Sequence, residues 1–200
     1  MMKRLLTILF VVVAPLWPLR AQNAGAEDLK ARIAEAGQRI AGIECDFVQT
    51  RTSALLAEPA VSRGRMSYSK PSRLEWTYLS PVSWAFTVDG DEVTMERDGN
   101  TQSFDVNQNR TIKEMSRLII SCIEGISVSD GAMFRTDVAD NDRELTVTLV
   151  PLRKDMKKMW RKLTLSYEKD GLKATRFVMD EASGDTTVIE FKNSRYAFTR

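Results

Sequence analysis

The sequence of 200 residues contains no histidine, and this absence excludes several kinds of chemistry. Without an imidazole the chain cannot build a Ser-His-Asp or Cys-His catalytic site, and it lacks a common ligand of transition metals. A phosphate-binding Gly-rich loop and a dinucleotide fingerprint are also missing. Carboxylates are plentiful but scattered, mostly on the polar side of predicted strands or in turns. We therefore expect no enzyme activity, no catalytic residues, no metal and no cofactor.

Cysteine is scarce as well, with only Cys45 and Cys122 in the chain. Both lie among apolar residues, Cys45 in a strand-like run and Cys122 in a helix-like run. One interpretation is a disulfide formed in an oxidising compartment. The other is two small buried hydrophobic side chains. Sequence spacing does not reveal the geometry that a disulfide needs, so both interpretations stay open.

The N-terminus has the pattern of a leader rather than of a folded segment. Lys3 and Arg4 precede an apolar run from Leu5 to Leu19, which matches the charged and apolar regions of a secretory signal peptide. A transmembrane anchor is the alternative, but the run is interrupted by prolines and is short for a span. We predict a signal peptide over residues 1–21, with cleavage as late as residue 26, and one domain over residues 22–200.

The charge balance argues against a nucleic-acid partner. The formal net charge of the whole chain is +2, and the predicted leader carries three positive charges and no negative ones, which leaves the exported part at −1. A nearly neutral protein has no basic field of the kind that follows phosphates. We expect a monomer that does not bind nucleic acid.

Two segments have helical periodicity, and the others alternate like strands. Glu27 to Ile40 is predicted as a first helix. Thr111 to Glu124 is predicted as a second helix with a broad apolar stripe, ended by Gly125. Such a helix should lie against, or inside, a concave sheet. The remaining apolar residues recur every second position, which is the pattern of strands with one buried face.

Turn dipeptides separate the predicted strands into an antiparallel meander. Asp89-Gly90 and Asp98-Gly99 are favoured hairpin turns, and further turns follow in the C-terminal half. The sequence therefore predicts a mainly β, α+β protein whose many-stranded sheet curls. From pattern alone, the apolar face of that sheet can belong to a solid core or to the wall of a pocket that a helix only partly fills.

The segment Leu152 to Lys162 has two interpretations. Met156, Met159 and Trp160 could share a helical face ringed by basic residues, as in a patch that binds a membrane surface or an acidic partner. The interpretation that we favour is a solvated connection, with Trp160 packing into the core at the start of the next strand.

Several of these residues resemble the central motif of the LolA family, the periplasmic outer-membrane lipoprotein carrier proteins. The matching residues are Phe47, Gln49, Lys70-Pro71-Ser72, Trp76, Pro81 and Val88-Asp89-Gly90. The resemblance implies an incomplete, strongly curved antiparallel β-barrel with helices covering its open side. It also implies a hydrophobic cavity that carries the acyl chains of lipoproteins through the periplasm.

The same resemblance implies partners. Carriers of this family receive lipoproteins or other acylated lipids from an inner-membrane ABC transporter and deliver them to an outer-membrane acceptor. Two alternatives remain: an envelope sensor or adaptor of the same fold, and a carrier of another lipid or hydrophobic metabolite. The family has Arg where this chain has Lys70, and Lys replaces a planar multi-donor fork with a point charge. We predict that Lys70 forms the contact between barrel and lid.

The predicted cavity residues are the inward-facing apolar side chains of the strands and of the second helix. They are Phe47, Met66, Tyr68, Leu74, Trp76, Tyr78, Trp84, Phe86, Met95, Leu118, Ile119, Leu165, Phe177 and Phe191.

Overall fold

A computed structural model describes residues 19–105, 110–125, 131–170 and 172–199. In these ranges the chain forms three helices and eleven strands. Their order is α1 (Leu19–Arg39), β1 (Ile40–Thr52), β2 (Ala60–Ser69), β3 (Arg73–Ser80), β4 (Trp84–Asp89), β5 (Glu92–Arg97), β6 (Asn100–Asp105), α2 (Arg110–Ile123), β7 (Phe134–Asp140), β8 (Leu145–Pro151), α3 (Lys154–Lys157), β9 (Trp160–Tyr167), β10 (Ala174–Glu181) and β11 (Thr186–Phe198).

All eleven strands belong to one antiparallel sheet that does not close. The order across the sheet is β6-β5-β4-β3-β2-β1-β11-β10-β9-β8-β7. The two longest strands, β1 and β11, pair at its centre and join the N-terminal strands to the C-terminal ones. Strands β6 and β7 form the two edges, so the ladder does not continue into a full barrel. The predicted mainly β, incomplete antiparallel barrel is therefore confirmed.

The register brings inward-facing residues of neighbouring strands into rows. One row crosses β1 to β5 as Cys45, Met66, Trp76, Phe86 and Met95. Another crosses β8 to β11 as Val147, Leu165, Phe177 and Ile189. Because side chains alternate between the two faces of a strand, each row lies on the same face as the apolar residues two positions away.

Helix α1 leads directly into β1. Its apolar face buries Ile33, and Ile40 is buried where the strand begins. The backbone N–H of Thr199 donates to the carbonyl of Arg39 over 2.7 Å, which ties the end of the helix to the end of β11. The helix begins at Leu19, earlier than the predicted Glu27.

Helix α2 covers the concave side of the sheet and ends where the sequence predicts. Leu118 and Cys122 are buried, and Ser121 donates to the carbonyl of Leu118 over 2.9 Å. Gly125 follows the helix with a φ of +70°, a conformation that costs glycine little. Here glycine is also needed for space, because a Cβ would lie 2.7 Å from Cα of Ala34 in α1.

Other segments differ from the prediction or decide between its alternatives. Strand β6 was not predicted, because its polar sequence lacks an alternating pattern. Strand β11 continues to Phe198, well beyond Phe191, the last of the predicted cavity residues. The segment after Leu152 forms only a four-residue helix, and Trp160 is buried at the start of β9, as the favoured interpretation expects.

The predicted leader lies almost wholly outside the described residues, so cleavage remains a prediction. Within the part of the chain that the structure describes, no helix combines the length and apolar character that crossing a bilayer requires.

Candidate functional site: an apolar cavity beneath two helices

A cavity of about 130 Å³ lies between the sheet and helices α1 and α2. Residues of seven strands line it: β1 to β4 on one side and β9 to β11 on the other. Strands that are well separated in the sheet order can face one cavity only if the sheet is strongly curved. The concave side of the sheet therefore forms the wall, and the helices form the roof.

Nine of the fourteen predicted residues line this cavity. They are Met66, Trp76, Tyr78, Phe86, Leu118, Ile119, Leu165, Phe177 and Phe191. The strand residues come from both halves of the sheet, and Leu118 and Ile119 come from the roof helix. The ring centroids of Trp76 and Phe191 lie 6.5 Å apart, although two strands separate β3 from β11. The structure thus brings together apolar side chains that are distant in sequence.

The other five predicted residues lie outside the cavity lining. They are Phe47, Tyr68, Leu74, Trp84 and Met95. Leu74 is 0% exposed and is packed in the core, one row away from the lining. Trp84 stacks on Tyr78 with ring centroids 4.6 Å apart, and this places it beyond the cavity. Alternation assigns a residue to the inner face, but it does not say whether the neighbouring side chains enclose it.

Phe47 does not line the cavity, because its ring fills the space beside Gly64. Its ring centroid lies 4.7 Å from that of Trp76 and 5.2 Å from that of Tyr78, so the three rings form one cluster. A Cβ on Gly64 would lie 2.5 Å from the Phe47 ring and 2.0 Å from the carbonyl oxygen of Thr77. Glycine at this position therefore allows the aromatic cluster to settle against the sheet and to support the cavity wall.

The C-terminal end of the roof helix is attached at two places. A Cβ on Gly37 of α1 would lie 2.4 Å from the carbonyl carbon of Glu124, so the two helices meet backbone to backbone. The Tyr68 hydroxyl on β2 also donates to Glu124 Oε1 over 2.7 Å. Burial, and then this neighbouring carboxylate, raise the pKa of Tyr68. Tyr68 therefore connects the sheet to the roof instead of lining the cavity.

Lys70 contacts the other roof helix. Its ammonium group donates to the carbonyl of Gln38, in the last turn of α1. A cation is favourable there because the final carbonyls of a helix carry partial negative charge. The side chain is exposed, so this contact is accessible to water and contributes only modestly to stability.

The sequence prediction missed a more polar end of the cavity. Cys45, Cys122, Tyr167, Ser194 and Tyr196 line this end, near the junction of α1 and α2. Burial raises the pKa of Cys45 to about 12 and that of Tyr196 to about 12. Cys45 and Cys122 are two buried thiols with no disulfide between them in the structure. The alternation of Ile43, Cys45 and Phe47 already assigns Cys45 to this face.

Apart from this end, the site offers few groups for chemistry. Among the described residues no group of three or more His, Cys, Asp or Glu is placed to hold a metal ion. The Tyr78 hydroxyl donates to Gln49 Oε1 over 2.9 Å and is thereby satisfied. The arrangement is suited to holding an apolar molecule away from water.

Comparison with known proteins gives one family. A family model described as outer membrane lipoprotein carrier protein LolA matches residues 38–199. The match includes every strand and the roof helix α2, together with all of the cavity lining except two residues of α1, Ile33 and Gly37. No curated protein matches the chain at a significant level.

Solved structures with similar folds are distant in sequence. A LolA superfamily protein from Nitrosomonas europaea has 10% identity and a TM-score of 0.45, with 86% of this chain and 94% of that chain covered. The Pseudomonas aeruginosa MucA/MucB complex has 12% identity and a TM-score of 0.48, with 86% of this chain and 57% of that chain covered. The Mycobacterium tuberculosis lipoprotein LppX has 14% identity and a TM-score of 0.43, with 83% of this chain and 93% of that chain covered. Similarity this low carries no functional argument.

Proposed function

The chain belongs to the outer membrane lipoprotein carrier protein LolA family, and on that premise we propose that it is a periplasmic carrier of lipoprotein acyl chains. In this proposal the leader exports the chain, and the cavity shields acyl chains from water between the two membranes. An inner-membrane ABC transporter supplies the cargo and an outer-membrane acceptor receives it. No catalytic step is required.

The observation that supports this proposal most directly is the apolar cavity itself. Protein interiors are close-packed, and voids larger than a water molecule are few. Here a void of about 130 Å³ is kept open among large side chains such as Met66, Trp76 and Phe177. Burial of each CH₂ group contributes roughly 0.8 kcal/mol, so an acyl chain held there is strongly favoured over one in water.

The size of the cavity indicates that the roof must move during uptake. A cavity of about 150 Å³ in another protein holds a molecule as small as benzene. The cavity of 130 Å³ is therefore too small for a whole acyl chain. Leu118, Ile119 and Ile123 of α2 occupy the roof, and their displacement would extend the apolar space. We propose that α2 is the lid of the carrier and that it moves when an acyl chain enters.

The test is to identify what the protein carries. The full chain with its leader would be produced in a Gram-negative host and purified from the periplasm without detergent. Native mass spectrometry followed by lipid extraction should detect acylated species bound to the wild type. A different lipid or hydrophobic metabolite would redefine the cargo. A bound signalling protein, with no lipid, would favour the envelope sensor instead.

Phe86→Glu and Ala85→Glu form a matched pair for this test. Phe86 lines the cavity, whereas Ala85 pairs with Glu96 on the opposite face of the sheet. We expect Phe86→Glu to abolish the bound species and Ala85→Glu to retain it. Loss of the ligand from both variants, or from neither, would contradict the assignment of the cavity as the carrier site.

A further inference from the structure

The hydroxyl of Tyr167 has no hydrogen-bond partner among the described residues, although its oxygen is shielded from solvent. Tyr167 lies at the end of β9, is 5% exposed and lines the cavity. Buried hydroxyl groups in native proteins nearly always have a partner, because an unsatisfied one loses its hydrogen bonds to water without replacement. A ligand atom that accepts a hydrogen bond would satisfy this hydroxyl.

No described neighbour of Tyr167 accepts a hydrogen bond from its hydroxyl. Tyr196 is a neighbour across the polar end of the cavity, and its oxygen already accepts the backbone N–H of Ala174 over 3.1 Å. Cys122 is the neighbour from the roof, and sulfur is a weak acceptor. Burial is the main cause that raises the pKa of Tyr167, so the hydroxyl keeps its proton and remains a donor.

The absence of charged residues from the described lining restricts which ligand group can accept a hydrogen bond from Tyr167. None of the described residues that line the cavity is Asp, Glu, Lys or Arg. A carboxylate or phosphate placed there would lose its hydration and gain no counter-ion, which is unfavourable. An uncharged acceptor, such as a carbonyl oxygen, loses far less hydration and gains one hydrogen bond.

The cavity is elongated along strand β1. Its lining follows β1 from Ile43 at the polar end to Gln49 at the aromatic end. Six residues of a strand span about 20 Å. A chain that begins beside Tyr167 would therefore run along β1 toward Trp76 and Phe86.

We propose that the polar end of the cavity is a subsite for the uncharged carbonyl that joins an acyl chain to its headgroup, and that Tyr167 donates a hydrogen bond to it. The proposal rests on the proposed carrier function and defines its ligand class as acyl esters or amides. The charged part of the molecule stays outside the cavity. Tyr167 then determines the direction in which the acyl chain lies.

The test compares three ligands of similar length: methyl decanoate, dodecane and decanoate. Each would displace a phenylnaphthylamine dye from the purified full-length carrier at neutral pH. We expect the ratio of the affinity for methyl decanoate to that for dodecane to be about fivefold higher in the wild type than in Tyr167→Phe, because one net hydrogen bond contributes about that much. Decanoate should bind most weakly, because its charge cannot enter the cavity.

Tyr167→Phe should lower the affinity for the ester about fivefold and leave the affinity for dodecane unchanged. Thr136→Val is the matched control, because it removes another buried hydroxyl that has no partner among the described residues, at a position that does not line this cavity. This control should keep the wild-type ratio of the two affinities. Thermal melting should show Tyr167→Phe to be as stable as the wild type or more stable, because the hydroxyl has no protein partner to lose.

The outcomes separate the two proposals. An ester-to-alkane affinity ratio in Tyr167→Phe equal to that of the wild type would overturn the subsite and leave the carrier function standing. Binding of decanoate as tight as that of the ester would also overturn it. Failure of all three ligands to displace the dye would overturn the carrier function and the subsite together.

Discussion

The two wings of the sheet have the same alternating pattern but pack differently. In the outer wing, β7 and β8, the inward side chains Val147 and Leu149 are each 0% exposed, and Phe134 is 1% exposed. None of these three residues lines the cavity. In the aromatic wing, β1 to β4, the inward side chains enclose one side of the cavity. Alternation therefore selects the buried face, and other features determine whether that face is solid.

The difference follows from side-chain shape and from what covers each wing. Branched aliphatic side chains interdigitate closely, and α1 and α3 cover the outer wing, where Met156 of α3 is 3% exposed. In the aromatic wing the large flat rings rest on one another, as where Trp76 and Phe86 stack with centroids 6.3 Å apart. The roof helix does not fill the remaining space. Val147 and Leu149 of the outer wing belong to the core, and we propose that the aromatic wing is a binding wall.

The largest effect is expected from placing a charge on the binding wall. Trp76→Glu would put a carboxylate at a position that is 4% exposed, so ligand binding or folding should be lost. Arg73→Glu on the outer face loses ion pairs with Glu75 and Asp89, and because these pairs are exposed to solvent the variant should still fold and bind ligand. Dye binding and circular dichroism measure both. If the two variants behave alike, the inward and outward assignments are wrong.

The next effect separates the core from the binding wall. Leu149→Ala should lower the free energy of unfolding by about 2–5 kcal/mol, because it leaves a void in a close-packed region. Phe86→Ala at a half-buried position should cost less stability but change ligand affinity. Urea denaturation and dye displacement measure the two quantities separately. A stability loss at Phe86 as large as that at Leu149, with unchanged binding, would show that both wings are core.

A smaller effect concerns alkaline pH. The folded state raises the pKa of Cys45 from an ordinary value of 9.0 to about 12, so the unfolded chain ionises this thiol first. The stability is therefore present below about pH 9 and is lost as the pH rises toward 12. Between pH 9 and about pH 10 the loss should be about 1 kcal/mol. Cys45→Ala should flatten this part of the curve in urea titrations, and an unchanged slope would contradict the burial argument.

The smallest effect concerns the attachment of the roof. Tyr68→Phe removes the hydrogen bond to Glu124 and should cost about 1 kcal/mol. We also expect it to speed dye exchange, because the lid loses a contact with the sheet. Glu124→Gln keeps an acceptor and should have a smaller effect on both quantities. Stopped-flow fluorescence checks the rates, and slower exchange in Tyr68→Phe would contradict the role of α2 as a lid.

The sequence alone predicted the facing of the strands better than the extent of the site. Met66, Trp76 and Phe86 were assigned to one face by their alternation, and they do occupy one row of the cavity wall. Phe47 and Leu74 obey the same alternation but are enclosed by their neighbours. Enclosure depends on cross-strand contacts such as that between Phe47 and Gly64, and these are not visible in one strand's pattern.

The polar end of the cavity could not be found from the sequence for a different reason. Ser194 and Tyr196 lie in the second half of β11, beyond Phe191, where apolar alternation weakens. This half persists as a strand because it pairs with the start of β1, about 150 residues away in the chain, as where Ile43 pairs with Tyr196. Long-range pairing of this kind overrides local propensity.

The most direct test of whether acyl chains occupy the cavity is photocrosslinking to a labelled cargo. A benzophenone amino acid would be placed at position 86, on the cavity wall, or at position 85, on the opposite face. The host would be fed labelled palmitate so that its lipoproteins carry the label. We expect label to be attached to the protein only through position 86. Crosslinking through position 85 alone, or equally through both positions, would contradict the account that acyl chains occupy the cavity.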